Sequence, residues 1–135
     1  MELPSAVPHD TRHAEVGIHF GGAPGCIAEA REAAVAFLRH HSRPARRTFH
    51  DDVLLVVSEL VSNAVRHAPG PFVLELGLVP GGIEVTVRDT SSRPPHSRPP
   101  DRTGGRGWSI VQSLARRVRV VPCHNGKTVH AELLW

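Results

Sequence analysis

The sequence predicts an α+β sandwich: one mixed, mostly antiparallel sheet with helices packed on one face. Three observations carry that prediction. Short segments of alternating apolar and polar residues occur near both ends of the chain and in its middle. Segments with apolar residues at helical spacing lie between them. A hairpin signal, "VPGG" at residues 79–82, joins two of the alternating segments. The resulting order is β-α-α-β-β-loop-α-β-β.

Residues 1–14 are polar and Pro-containing, and are expected to be a tail. In "EVGIHF" (15–20), Val16, Ile18 and Phe20 point one way and Glu15, Gly17 and His19 the other, as in a strand. "GGAPG" breaks it. Cys26, Ile27, Ala30, Ala34, Phe37 and Leu38 then recur at helical spacing, which predicts a helix over 25–40. "HSRPARR" (41–47) reads as a linker. Thr48 or Asp51 can cap a second helix over 51–67, whose core stripe is Val53, Val57, Leu60, Val61, Ala64 and Ala68. "APGP" ends that helix. Residues 72–78 and 83–89 alternate as two strands.

Residues 90–107 have no periodicity, four Pro and three Gly. A structureless loop of that length in a small domain reads as a functional lid. Residues 108–117 read as a third helix. Residues 118–122 and 127–135 read as a last strand pair around "CHNG". The folded domain is expected to be 15–135.

The chain has 135 residues, of which 40% are hydrophobic and 21% charged. That suits a single globular domain. No apolar run approaches the roughly 20 residues needed to span a bilayer. The N-terminal stretch lacks the basic start and apolar core of a secretory signal. A soluble, cytoplasmic protein is expected. Its two cysteines do not make a disulfide framework. Its ten His show no metal-ligand spacing, so no zinc site is expected.

The net charge is +3, and 15 of the 16 basic residues are Arg. Seven of them lie between Arg93 and Arg119. That density suits a polyanion, either nucleic acid or a nucleoside triphosphate. Direct nucleic-acid binding is disfavoured, because aromatic content is 4% and only Trp108 lies near the Arg cluster.

The second helix carries the candidate chemistry. Within "SELVSNAVRHA" (58–68), Glu59, Asn63 and His67 stand four residues apart. At about 100° per residue they form one stripe, with Asp52 beside it, at the edge of the core face. Leu55 and Val56 fall on the same side and suit the wall of a pocket for a flat heterocycle. The bland reading is a solvated helix face, because such polar stripes are common. His67 reads as a C-terminal cation favoured by the helix dipole. Asn63 argues for more, because Asn is a poor interior helix former.

Taken with later segments, this stretch resembles the N box of the GHKL ATPases, which share the Bergerat nucleotide-binding fold. "VRDTSSRPP" is similar to their adenine-binding box. "GGRGWSIVQSLA" is similar to the glycine-rich box that ends the ATP lid, and "GKTVHAELLW" to the closing strand. The resemblance covers residues 15–135 and is nearest to the anti-sigma-factor serine/threonine kinases and related small bacterial regulators. It implies ATP and Mg²⁺ as cofactors and a lid over about 90–107.

The resemblance also implies roles. Glu59 matches the general base, and Asn63 the residue that holds Mg²⁺ through its amide oxygen. Asp89 matches the acceptor for the adenine amino group. Gly105 and Gly107 match the lid glycines beside the phosphates, and Arg106 adds charge there. Thr128 matches a threonine that helps bind adenine. Taken singly, Asp89 also reads as a turn former, the glycines as a linker and Thr128 as an ordinary strand residue.

The implied partners are a sigma factor and a small STAS-type anti-sigma antagonist, with a homodimer as the assembly. The alternative is a nucleotide-binding module without catalysis that sequesters a partner protein. It is motivated by Ser91, which stands where many relatives carry glycine, and by the short Pro-rich lid. A histidine-kinase-like domain ranks lower, since those usually place a second Asn where Glu59 stands.

Overall fold

The protein is described by a computed structural model, covering residues 13–41, 45–67, 70–91 and 107–135. Among these residues, eight elements follow in the expected order. They are β1 (His13–Phe20), α1 (Cys26–His40), α2 (Phe49–His67), β2 (Phe72–Val79), β3 (Gly82–Asp89), α3 (Gly107–Leu114), β4 (Arg117–Cys123) and β5 (Gly126–Leu134). Residues 1–12 of the expected tail, Ala68 of the expected core stripe, most of the lid, and the glycine and arginine at 105 and 106 lie outside the described residues. Strand β1 does begin two residues earlier than expected.

The strands form one sheet in the order β1-β2-β3-β5-β4. Every neighbouring pair is antiparallel. This corrects the mixed sheet expected from the sequence. The physical reason is the position of β5. It inserts between β3 and β4, so the crossover through α3 returns a strand that never pairs with β3.

Alternation sorts the strand residues onto two faces. Val16, Ile18, Phe20, Phe72, Leu74, Leu76, Ile83, Val85, Val87, Val129, Ala131 and Leu133 share the helix-facing side. They join α1 and α2 in one apolar cluster. Fully burying a Leu, Ile, Val or Phe stabilises by about 1.5–3 kcal/mol, so this face fixes the register. A slip of one residue would turn the set outward.

Helix α2 starts two residues before the expected position. Thr48 is its boundary residue: its carbonyl accepts from Asp52 N–H at 2.8 Å. Its hydroxyl lies 3.2 Å from the Asp52 carboxylate, and the Arg46 guanidinium bonds the same carboxylate at 3.0 Å. Asp52 therefore serves the helix N-terminus, where the dipole favours an anion. Arg46 also donates to the Leu134 carbonyl at 2.9 Å, tying the start of α2 to the end of β5.

Helix α3 stops at Leu114, three residues before the expected end. Ala115 N–H still donates to Val111 O, but Arg116 N–H turns to Glu132 O at 2.7 Å. The backbone has already joined the sheet at that point. No helix among the described residues is long and apolar enough to cross a membrane.

Candidate functional site

Helix α2 is the central helix, packed against α1, α3 and the sheet. Its buried arc is correspondingly wider than the sequence stripe. Phe49, Val53, Val56, Val57, Leu60, Val61 and Ala64 are all buried. Val56 is 0% exposed, so it belongs to the core and not to an open pocket wall. Leu55, its expected companion, is 37% exposed. On the α1 side, Arg31 donates to Ser58 Oγ at 2.8 Å.

Glu59 and Asn63 emerge half-buried at the border of this arc. Among the described residues, neither side chain takes part in a hydrogen bond or ion pair. Glu59 nonetheless has a fixed neighbour. Its carboxylate rests against Gly107, the first residue of α3, so closely that a Cβ there would overlap Glu59 Oε1. Only glycine leaves that space. The first N–H groups of a helix have no partners within it, and its N-terminal end carries partial positive charge. Glu59 thus lies at an electropositive helix end, one turn before a carboxamide.

Asp89 ends β3 and faces the helix side. It is buried, 6% exposed. Lys127, its direct partner on β5, lies 2.8 Å from Oδ2 and 3.1 Å from Oδ1. Ser91 N–H donates to Oδ1 at 3.0 Å. Gly126 permits this close approach of strand ends: a Cβ there would overlap the Asp89 carbonyl. A cavity of about 240 Å³ opens beside these strand ends, lined by Phe72, Arg88, Asp89, Thr90, Asn125 and Gly126 among others.

Thr128 is not brought to this group. In the β3–β5 ladder it pairs with Arg88, one residue out of phase with Asp89. Its side chain therefore lies on the face away from the helices, where its hydroxyl is 3.2 Å from Cys123 Sγ. The residue that meets Asp89 is Lys127, which the sequence reading passed over. The signal was present. Val129, Ala131 and Leu133 alternate inward, so period two puts residue 127 inward and 128 outward.

The structure thus brings Glu59 together with Gly107, places Asn63 one turn further along the same helix, and sets Asp89 against Lys127. Residues 105 and 106 lie outside the described residues. No group of three or more potential metal-ligating His, Cys, Asp or Glu side chains occurs among the described residues. A hard cation would find oxygen donors in Asn63 and Glu59 together with a ligand's own oxygens.

Comparison with known proteins follows the same outline. Residues 22–132 match the family described as histidine kinase-like ATPase domain. Among solved structures, the chain is similar to the RsbU and RsbW domains of Rv1364c from Mycobacterium tuberculosis. That match has a TM-score of 0.65 at 18% identity, covering 88% of this chain and 32% of the other. The chain is also similar to the histidine kinase domain of the blue-light activated histidine kinase EL346 from Erythrobacter litoralis. Here the TM-score is 0.50 at 23% identity, covering 80% of this chain and 60% of the other. The chain therefore spans less than two thirds of either relative, and at these identities what is shared is the fold. No functionally curated protein matches it. With residues 22–132 accounted for and the sheet, helices and polar positions arranged as described, the chain belongs to the histidine kinase-like ATPase domain family.

Proposed function

We propose that this domain binds Mg-ATP and acts as a serine/threonine protein kinase within an anti-sigma regulatory pair. One observation carries the reading: Glu59 is seated against the glycine that opens α3, one helical turn before Asn63. A carboxylate at that place suits a general base, because the helix N-terminus beside it also suits the phosphates of the substrate.

In the proposed reaction a serine hydroxyl of the antagonist protein attacks the γ-phosphorus. A new O–P bond forms, the bond to the β–γ bridging oxygen breaks, and ADP leaves. Glu59 accepts the hydroxyl proton. Asn63 would hold Mg²⁺ through its amide oxygen, and the ion, when bound, neutralises phosphate charge. Asp89 would accept from the base. The partners proposed are a sigma factor, which the domain sequesters, and a STAS-type antagonist, which it phosphorylates, with the domain as a homodimer in the cytoplasm.

Incubation with Mg-ATP and candidate antagonists tests this. Glu59→Ala is expected to retain ATP binding and lose transfer. Transfer unaffected by that change would reject the assignment.

The second reading is a nucleotide-binding module without catalysis, motivated by Ser91 standing where many relatives carry glycine. ATP binding without turnover in the presence of any partner would select it.

A further inference from the structure

The sheet face turned away from the helices carries a concavity of its own. In the ladders Val73 pairs with Arg88, and Arg88 with Thr128. All three are out of phase with the core residues of their strands, so they share the outer face. Cys123 joins them there, with its Sγ 3.2 Å from Thr128 Oγ1. Val73, Arg88 and Cys123 line the cavity of about 240 Å³ at this end of the sheet. Asp89 also lines it, but its carboxylate is turned to the helix side and bonded to Lys127. Among the described residues, neither Glu59, Asn63 nor Gly107 belongs to this lining.

Two chemistries meet in the cavity. Pro71, Phe72 and Val73 supply apolar surface. Arg88, Thr90 and Asn125 supply polar groups, and among the described residues none of these three side chains has a hydrogen bond or ion pair. Solvation of an exposed Arg accounts for its lack of a partner, but not for an apolar hollow beside it. An apolar concavity with a few polar groups in its wall is the usual form of a small-molecule site. The volume sets the size of the occupant. It is several times the roughly 30 Å³ of one water, and below the roughly 300–1,000 Å³ of sites for larger ligands. Arg88 sets the charge. Its planar guanidinium matches a carboxylate with two parallel hydrogen bonds.

We propose that this cavity binds a small planar carboxylate with an apolar body, such as an aromatic acid. Arg88 bonds the carboxylate, and the wall from Pro71 to Val73 covers the body. Thr90 and Asn125 are further donors in the same lining. The site is independent of the proposed nucleotide chemistry, which belongs to the helix side of the sheet.

The cavity contains its own reporter. Cys123 is an exposed thiol in the lining, whereas Cys26 is buried in the core. Alkylation by iodoacetamide, read by mass spectrometry with Cys26 as the internal control, tests the assignment. The probes are benzoate, benzamide, which lacks the charge, and inorganic phosphate, which lacks the apolar body. Benzoate is expected to slow alkylation of Cys123 saturably, at concentrations about tenfold or more below those needed of benzamide or phosphate. Arg88→Gln is expected to raise the half-protecting concentration of benzoate roughly ten- to a hundredfold. Arg88→Lys keeps the charge without the fork, and should fall between the two.

Failure of benzoate to protect Cys123 overturns the proposal. So does equal protection by benzamide or by phosphate, or protection unchanged in Arg88→Gln. Protection by Mg-ATP equal to that by benzoate overturns it as well, because the cavity would then belong to the nucleotide site. Arg88 is exposed, so its variants are expected to fold, and a melting curve checks this. Should Arg88→Gln not fold, the comparison of the three probes on wild type decides.

Discussion

The two ends of the candidate site are built differently. At the sheet end, Asp89 is buried, paired with Lys127 and bonded by Ser91 N–H. Its position is set by a four-strand stretch of antiparallel ladder from β2 to β4. At the helix end, Glu59 and Asn63 are half-buried, and among the described residues neither has a hydrogen-bonding partner. The contrast separates two physical tasks. The sheet end is preorganised and largely satisfied internally, so it is fixed in place. The helix end keeps its polar atoms available, which suits a metal, phosphates and a proton to be moved.

The largest expected effect is at the helix end. Glu59→Gln should lower phosphoryl transfer by roughly 10²- to 10⁴-fold, the usual share of a general base, with thermal stability unchanged. A transfer assay beside a melting curve checks both. Equal loss of stability and activity would erase the distinction between the two ends.

The sheet end should fail in the opposite way. Asp89→Asn alone leaves a buried ammonium without its anion, and should destabilise the fold by about 3–5 kcal/mol. Lys127→Met should do the same for the carboxylate. Denaturant unfolding measures both. Changing the two residues together should cost less than the sum, because no unpaired charge remains buried. Additive losses would mean that the pair is not coupled.

Gly107→Ala tests how the helix end is held. The added Cβ overlaps the Glu59 carboxylate, a flexible side-chain tip, while the backbone has room. Stability should change little. Transfer should fall on the order of tenfold to a hundredfold, because the carboxylate is displaced by about an ångström. A variant with full activity would show that Glu59 does not act from its present place.

The smallest effect concerns the frame around both ends. Arg46→Ala removes the bonds from Arg46 to Leu134 O and Asp52. The guanidinium is 45% exposed, so screening reduces its worth. A loss of about 1 kcal/mol is expected, with nucleotide affinity retained. Affinity that fell with stability would show that the anchor of α2 to β5 also sets the site.

Legibility in the sequence was uneven for physical reasons. All eight elements could be read, because period two and period 3.6 are local properties of the chain. Their ends were off by one to three residues. At the start of α2 local bonds among Arg46, Thr48 and Asp52 extend the helix, and at the end of α3 a long-range bond, Arg116 N–H on Glu132 O, stops it. Glu59, Asn63 and Gly107 stood out because helix spacing and glycine position are visible along the chain. Val56 was misplaced, since a stripe computed on an isolated helix ignores the two helices that flank α2.

The sequence by itself determined the element order, the apolar face of each strand and the helix that carries Glu59 and Asn63. These follow from backbone periodicity and burial of apolar surface. Only the tertiary structure decided that β5 lies between β3 and β4, and in what register. That one pairing makes the sheet wholly antiparallel and sets Lys127 on Asp89. Partner and register depend on which faces close together in space, and no local pattern in the chain encodes that choice.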